Sequence, residues 1–295
     1  MQFNEFGRTG LKVSPLGFGA MHLNDGRVTE SEAAHLLNAV LDLGVNLIDT
    51  ARGYGLSEER IGRHLAHRRQ EFLLSTKVGY GIPGVPDWTG PCIKAGVEAA
   101  LRRLRCERLD IVHLHSCPLA ILERGEVIEA LEACARVGTV GVVAYSGDNA
   151  ELDFATFSGR FGSVQTSISL CDQGNLDQRL PTLQALGLGV IAKRPIAGAV
   201  WDQPLRPEAQ AEGQYWDRWQ TMGLGAPPEA HTWNELALRF TAHWPGVASS
   251  IVGTRSLEHF KENLAWIEKG PLSREEVERF RDAYRRHDQG WPGLI

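Results

Sequence analysis

The chain has 295 residues, 43% of them hydrophobic, enough to close one large α/β barrel or two ordinary domains over a buried core. Its formal net charge of −5 is spread along the sequence without a basic block, which argues against a nucleic-acid surface and for a small-molecule ligand. No stretch approaches the length of a membrane span, and Cys92, Cys106, Cys117, Cys134 and Cys171 lack CxxC spacing, so neither a disulfide framework nor a zinc knuckle is expected.

The opening QFNEFGRTGLKV has two β-like pieces around Gly7 to Gly10, read either as a hairpin plugging the amino end of a barrel or as a frayed tail. A first strand is expected over 13–17 and a helix over 29–43. Strand 45–49, helix 58–66, strand 72–76, helix 91–104, strand 111–115 and helix 127–137 follow in turn. Strands at 140–144 and 164–166, a helix over 176–186 and strands at 190–192 and 249–252 complete about eight βα units, the count that closes a (β/α)8 TIM barrel. From Trp201 to Ala230 the chain is rich in Pro, Gly and Trp, and we read residues 200–230 as an irregular insertion over the active-site face. A last helix over 274–286, followed by HDQGWPGLI, packs outside the barrel or covers its mouth. The whole of 1–295 is expected to form one domain: a barrel with an N-terminal β-hairpin and a C-terminal extra helix.

Four polar residues stand at or just after strand ends: Asp49 in VNLIDTA, Tyr54 in the next turn, Lys77 closing FLLSTK and His115 closing LDIVHLH. Side chains from several strands meet at the carboxyl-end face of a barrel, so these four can form one site. A phenol is a weak acid, but an adjacent ammonium eases donation of its proton, and a buried lysine keeps its charge when a carboxylate pairs with it. Asp49, Lys77 and Tyr54 in that order, with His115 bonding the oxygen that receives the proton, suit reduction of a carbonyl. A protein has no hydride donor of its own, so a nicotinamide cofactor is implied. Each residue also has a bland reading: a helix cap, a packed ring, a solvated lysine, a core histidine.

The segments GVNLIDTARGYGLSEERIG, FLLSTKVG and RLDIVHLHSCP resemble the aldo-keto reductase superfamily, nearly from end to end of the chain. The resemblance implies a (β/α)8 barrel, NADP(H)-linked reduction of aldehydes or ketones, and a catalytic tetrad of Asp49, Tyr54, Lys77 and His115. It further implies that Ser146 and Gln165 hold the nicotinamide carboxamide, with Gly147 standing where an asparagine is usual and Asp148 or Asn149 as substitutes. Lys193 stands where many relatives place an aromatic residue against the nicotinamide, with Arg194 following it, and such a cationic side chain is expected to cover the ring or pair with the pyrophosphate. Gly253, Thr254, Arg255, His259, Glu262 and Asn263 match the adenosine end, where Arg255 can fork onto a 2′-phosphate. His259 and Gly253 replace basic residues common in NADP-dependent members, so NAD(H) stays open beside NADP(H).

Met21, His22, Trp88 and Ser116 are the expected substrate-pocket residues, with Trp201, Trp216, Trp219 or Trp291 as further candidates from the insertion and tail. The expected protein is a cytoplasmic monomer acting on a small-molecule carbonyl substrate, with no nucleic-acid or membrane partner. Three other readings stay open. The first is an NAD(P)-linked sugar or alcohol dehydrogenase running the reaction in reverse. The second is a slow-turnover cofactor-binding regulatory protein, as the potassium-channel β subunits that resemble this family are. The third is a metal hydrolase beginning from the His113–His115 pair, for which the ends of later strands offer no matching ligands, so no metal site is expected.

Overall fold

The computed structural model describes residues 2–24, 26–177 and 179–295. Gln178, in the expected helix over 176–186, lies outside the described residues. Two short strands, β1 (Asn4–Glu5) and β2 (Lys12–Val13), pair antiparallel, Asn4 opposite Val13 and Glu5 opposite Lys12. The hairpin is a plug. Phe6 is fully buried among Val13, Leu47, Ile111, Val142 and Ile191, and the Asn4 amide donates to the Ala248 carbonyl at 2.9 Å.

Eight parallel strands close into a barrel. In chain order they are β3 (Leu16–Gly19), β4 (Leu47–Asp49), β5 (Leu73–Val78), β6 (Leu109–His115), β7 (Val140–Ser146), β8 (Ser163–Ser167), β9 (Gly189–Lys193) and β10 (Ser249–Val252), with β10 pairing back onto β3. The first strand starts three residues later than expected because Lys12 and Val13 are taken by the hairpin. Ser14 then turns the chain, its N–H donating to Asn46 Oδ1 at 2.7 Å.

The main crossover helices are α1 (Glu30–Asp42), α2 (Ser57–Leu65), α3 (Gly90–Leu104), α4 (Leu119–Arg124), α5 (Glu126–Arg136), α6 (Asn149–Phe157) and α7 (Arg179–Leu186). The apolar face of α1 buries Ala33, Leu36, Leu37, Val40 and Leu41, and a capping box between Thr29 and Glu32 starts it.

Residues 200–230 are irregular only in part: they hold the helix α8 (Gln210–Met222). Tyr215, Trp219 and Met222 recur at i, i+4 and i+7 and are buried, a helical stripe that Gly213 and the tryptophans disguise in the sequence. After α9 (Trp233–Ala242) and α10 (Leu257–Glu268), the last helix is α11 (Arg274–His287), close to the expected bounds. A ladder of edge-to-face rings ties three of these helices together: Trp201 to Trp219 at 5.2 Å, Trp219 to Trp233 at 4.7 Å and Trp233 to Phe280 at 5.7 Å.

Among the described residues no helix is long and apolar enough to cross a membrane.

Candidate active site

At the carboxyl-end face of the barrel a cavity of about 590 Å³ is lined by Asp49, Tyr54, Lys77 and His115 together. Lys77 Nζ lies 2.6 Å from Asp49 Oδ2 and 2.8 Å from the Thr50 carbonyl, and both charged side chains are only 2% exposed. Burial works to strip the Lys77 proton. The Asp49 charge, aided by Tyr54 and by hydrogen bonds to both, outweighs it and holds Lys77 above its usual value. The ammonium also sits 5.2 Å from the Tyr54 ring centre.

Tyr54 is placed by a turn, its N–H donating to Ala51 O at 3.0 Å and its carbonyl accepting from Ser57 N at 2.9 Å. The Ser57 hydroxyl then fastens α2 to the barrel by donating to Ala20 O at 2.9 Å.

Asp49 is saturated with donors. Its Oδ1 accepts from Ser75 Oγ at 2.7 Å and from Gln165 Nε2 at 3.0 Å. Ser75 Oγ is in turn 3.1 Å from His113 Nε2. His113 is therefore an interior histidine backing the carboxylate, and burial together with the nearby Lys77 charge lowers it to about 4, so it stays neutral. Among the described residues no group of three or more His, Cys, Asp or Glu is arranged to hold a metal ion.

His115 is also driven toward its neutral form, first by burial and then by the charges of Lys77 and Lys193. Its ring stands edge-on to Tyr54 at 6.1 Å, and its Nδ1 lies 2.8 Å from the hydroxyl of Tyr80, a residue that the sequence did not single out.

A model of the aldo/keto reductase family matches residues 15–285. The chain belongs to the aldo/keto reductase family. It is 28% identical over 290 residues to L-galactose dehydrogenase of Arabidopsis thaliana, covering 90% of this chain and 88% of that protein. It is 25% identical over 280 residues to 6-dehydroglucose reductase of Novosphingobium aromaticivorans, covering 88% of each. Its fold is similar to that of an aldo-keto reductase from Bacillus halodurans in its holo form, with a TM-score of 0.83, 29% identity and 96% of both chains covered.

Enzymes of this family generally use a nicotinamide nucleotide, and the side chains here suit one. In this aldo/keto reductase Ser146 Oγ, at the end of β7, donates to Gln165 Oε1, midway along β8, at 3.0 Å, so that two polar side chains stand side by side. Where the family pattern has asparagine, Gly147 leaves no room for more: a Cβ would stand 2.3 Å from the Tyr145 hydroxyl. The expected substitutes are engaged elsewhere. Asn149 exchanges two hydrogen bonds with the Gly293 backbone, and Asp148 accepts from Thr166 and from the Ser167 N–H.

Asp148 also holds Lys193, whose Nζ is 3.0 Å from Oδ2, and Arg194 donates to the Leu294 carbonyl at 2.7 Å. Both basic residues still line the cavity, as do Met21, His22, Ser116 and Gly253. Thr254, Arg255, His259, Glu262 and Asn263 lie beyond it, on the loop after β10 and on α10. Arg255 is exposed, and among the described residues it makes no ion pair.

The expected tryptophans are absent from the cavity wall. Trp88 packs edge-on against Tyr80 at 5.8 Å, Trp201 and Trp219 belong to the ring ladder, Trp216 donates to the Gln203 carbonyl, and Trp291 meets Tyr284 at 5.3 Å. Their places are taken by Ile196, Glu212, Tyr215 and Ile295. The tail reaches the site because Arg218 holds the Pro292 carbonyl at 2.6 Å, and Leu294 is clamped by Asp172, Ser167 and Arg194. Ser116, Arg194 and Ala199, which line the cavity, all have positive φ, a concentration of backbone strain at its wall.

Proposed function

We propose that the chain is an NADPH-dependent reductase of aldehydes or ketones, with Tyr54 as the general acid. The observation that carries this reading is the convergence of a buried ammonium–carboxylate pair, a phenol and a neutral imidazole on one cavity. A reduced nicotinamide nucleotide would supply the hydride, held at its carboxamide by Ser146 and Gln165. Lys77, kept charged by Asp49, stabilises the phenol oxygen as its proton leaves. Tyr54 passes that proton to the substrate oxygen, and His115 positions the same oxygen by a hydrogen bond.

Arg255 supports NADPH over NADH, since a guanidinium just before α10 that has no ion pair among the described residues can fork onto a 2′-phosphate. Lys193 and Arg194 belong to the phosphate-bearing side of the cofactor in this reading, with Thr254, His259, Glu262 and Asn263 toward its adenosine. Met21, His22 and Ser116 face the substrate.

His22, Ser116 and Glu212 bring polar groups into a wall that is otherwise largely apolar, which is compatible with a hydroxylated carbonyl compound. The names of the Arabidopsis and Novosphingobium relatives favour the same class, and the former supports a second reading in which the same four residues oxidise a sugar, with Tyr54 accepting the proton.

Fluorescence titration with NADPH and NADH, followed by absorbance-monitored turnover on aldehydes, ketones and aldoses, tests the proposal. Tight NADPH binding with turnover supports it. Tighter NADH binding with oxidation of an aldose favours the second reading, and binding without turnover would refute catalysis in favour of a regulatory role.

A further inference from the structure

Tyr80 is held from several sides for a task that packing alone does not require. It follows β5 by two residues, and the intervening Gly79 has φ 145 and is so closely covered by the Trp88 ring that a Cβ would lie 2.2 Å from it. Trp88 closes back with its N–H on the Gly79 carbonyl at 2.8 Å and presents its edge to the Tyr80 ring. On the far side, Gly53 makes room for the hydroxyl: a Cβ there would stand 3.2 Å from Tyr80 Oη. The Tyr80 and His115 rings are stacked at 5.6 Å with 26° between their planes, and Oη lies 2.8 Å from Nδ1.

We propose that Tyr80 is a positioning residue that fixes the ring tautomer of His115, donating its hydroxyl proton to Nδ1 so that Nε2–H is the donor offered to the reacting oxygen. The proposal rests on the reading of the cavity as a carbonyl-reducing site. A neutral imidazole has one N–H, and the two ring nitrogens cannot both donate. Burial raises the Tyr80 phenol, so it keeps its proton and has one to give. Among the described residues His115 Nδ1 is the sole hydrogen-bond partner of that hydroxyl. Were Nδ1 to carry the proton, the phenol O–H would be left without an acceptor there, and Nε2 would present a lone pair to a carbonyl oxygen that is itself an acceptor. Donation from Tyr80 to Nδ1 uses both groups and leaves Nε2–H for the cavity.

The test uses the full chain with oxidised cofactor bound, labelled with ¹⁵N in its histidines. Long-range ¹H–¹⁵N spectra report the tautomer, and the His115 signals are assigned by their loss in His115→Asn. The expected result is the Nε2–H pattern in the wild type and a mixture of tautomers in Tyr80→Phe, which keeps the stacked ring. Alongside it, kcat in Tyr80→Phe should fall about five- to tenfold, as loss of one hydrogen bond in the transition state implies, with cofactor affinity unchanged and KM for the carbonyl moved less. An Nδ1–H pattern in the wild type, or an unchanged tautomer in Tyr80→Phe, would overturn the proposal. Because the spectra need no turnover, failure of the carbonyl-reductase reading shows separately, as an inactive wild type with an intact tautomer result.

Discussion

Replacing Lys77 by methionine removes one half of a buried ion pair while keeping much of the side chain's length. The ammonium is 2.6 Å from Asp49 Oδ2, and each side chain is 2% exposed, so neither has water to fall back on. Ser75 and Gln165 still serve Asp49 Oδ1, but Oδ2 and the Thr50 carbonyl each lose a donor. An uncompensated charge at such a site costs roughly 3–5 kcal/mol. With a urea m-value on the order of 3 kcal/mol/M, that is a midpoint lowered by about 1 M or more. Urea unfolding followed by circular dichroism measures it. Asp49→Asn combined with Lys77→Met removes the orphaned charge and should be more stable than Lys77→Met by at least about 1 kcal/mol. Since Lys77 is held above its ordinary 10.5, the pair contributes fully below that value and is lost only as the pH climbs through the higher folded one. The deficit of the single variant should therefore be the same at neutral and mildly alkaline pH. A midpoint shift under about 0.3 M, or a double variant no more stable than Lys77→Met, would refute the assignment of an energetically costly buried charge at Asp49.

Three further outcomes are expected. Tyr54→Phe should lower kcat by about 10²–10⁴ with NADPH affinity retained, and full activity in that variant would exclude Tyr54 as the acid. Arg255→Ala should weaken NADPH binding about tenfold or more with NADH little changed in fluorescence titration; equal weakening of both removes the phosphate contact. Burial, reinforced by the Asp148 charge, pushes Asp172 up to about 7, so its carboxyl favours the folded state fully below 3.8 and that contribution is lost as pH rises through about 7. Asp172→Asn should accordingly gain urea resistance relative to the wild type between pH 5 and pH 8, and a constant difference across that range would mean that Arg218 keeps the carboxyl ionised.

Much of this protein was legible as local pattern. Short apolar runs spaced by amphipathic segments marked the barrel strands, and 249–252 matches β10 at both ends, because burial of a strand leaves its imprint on its own residues. Asp49, Lys77 and His115 could be placed at or near strand ends for the same reason, and barrel geometry brings such ends together whatever their separation along the chain. Local pattern failed where neighbours decided the outcome. Val13 read as the start of the first barrel strand, yet the hairpin claims it; the tryptophans of 201–219 read as pocket walls, yet Trp201 and Trp219 interlock with Trp233 in a ladder.

The polar partners were the least visible, since a side chain's type does not name what it will face. Tyr80 and His115 are 35 positions apart, Ser75 and His113 are 38, and Asn149 meets Gly293 across 144. Those pairs exist only because β5 and β6 lie side by side in the barrel, because the rim loops gather at its carboxyl-end face, and because the last helix returns the tail to that rim. The sequence determined which residues could do the chemistry; the closed barrel decided which nitrogen, oxygen and charge each would meet.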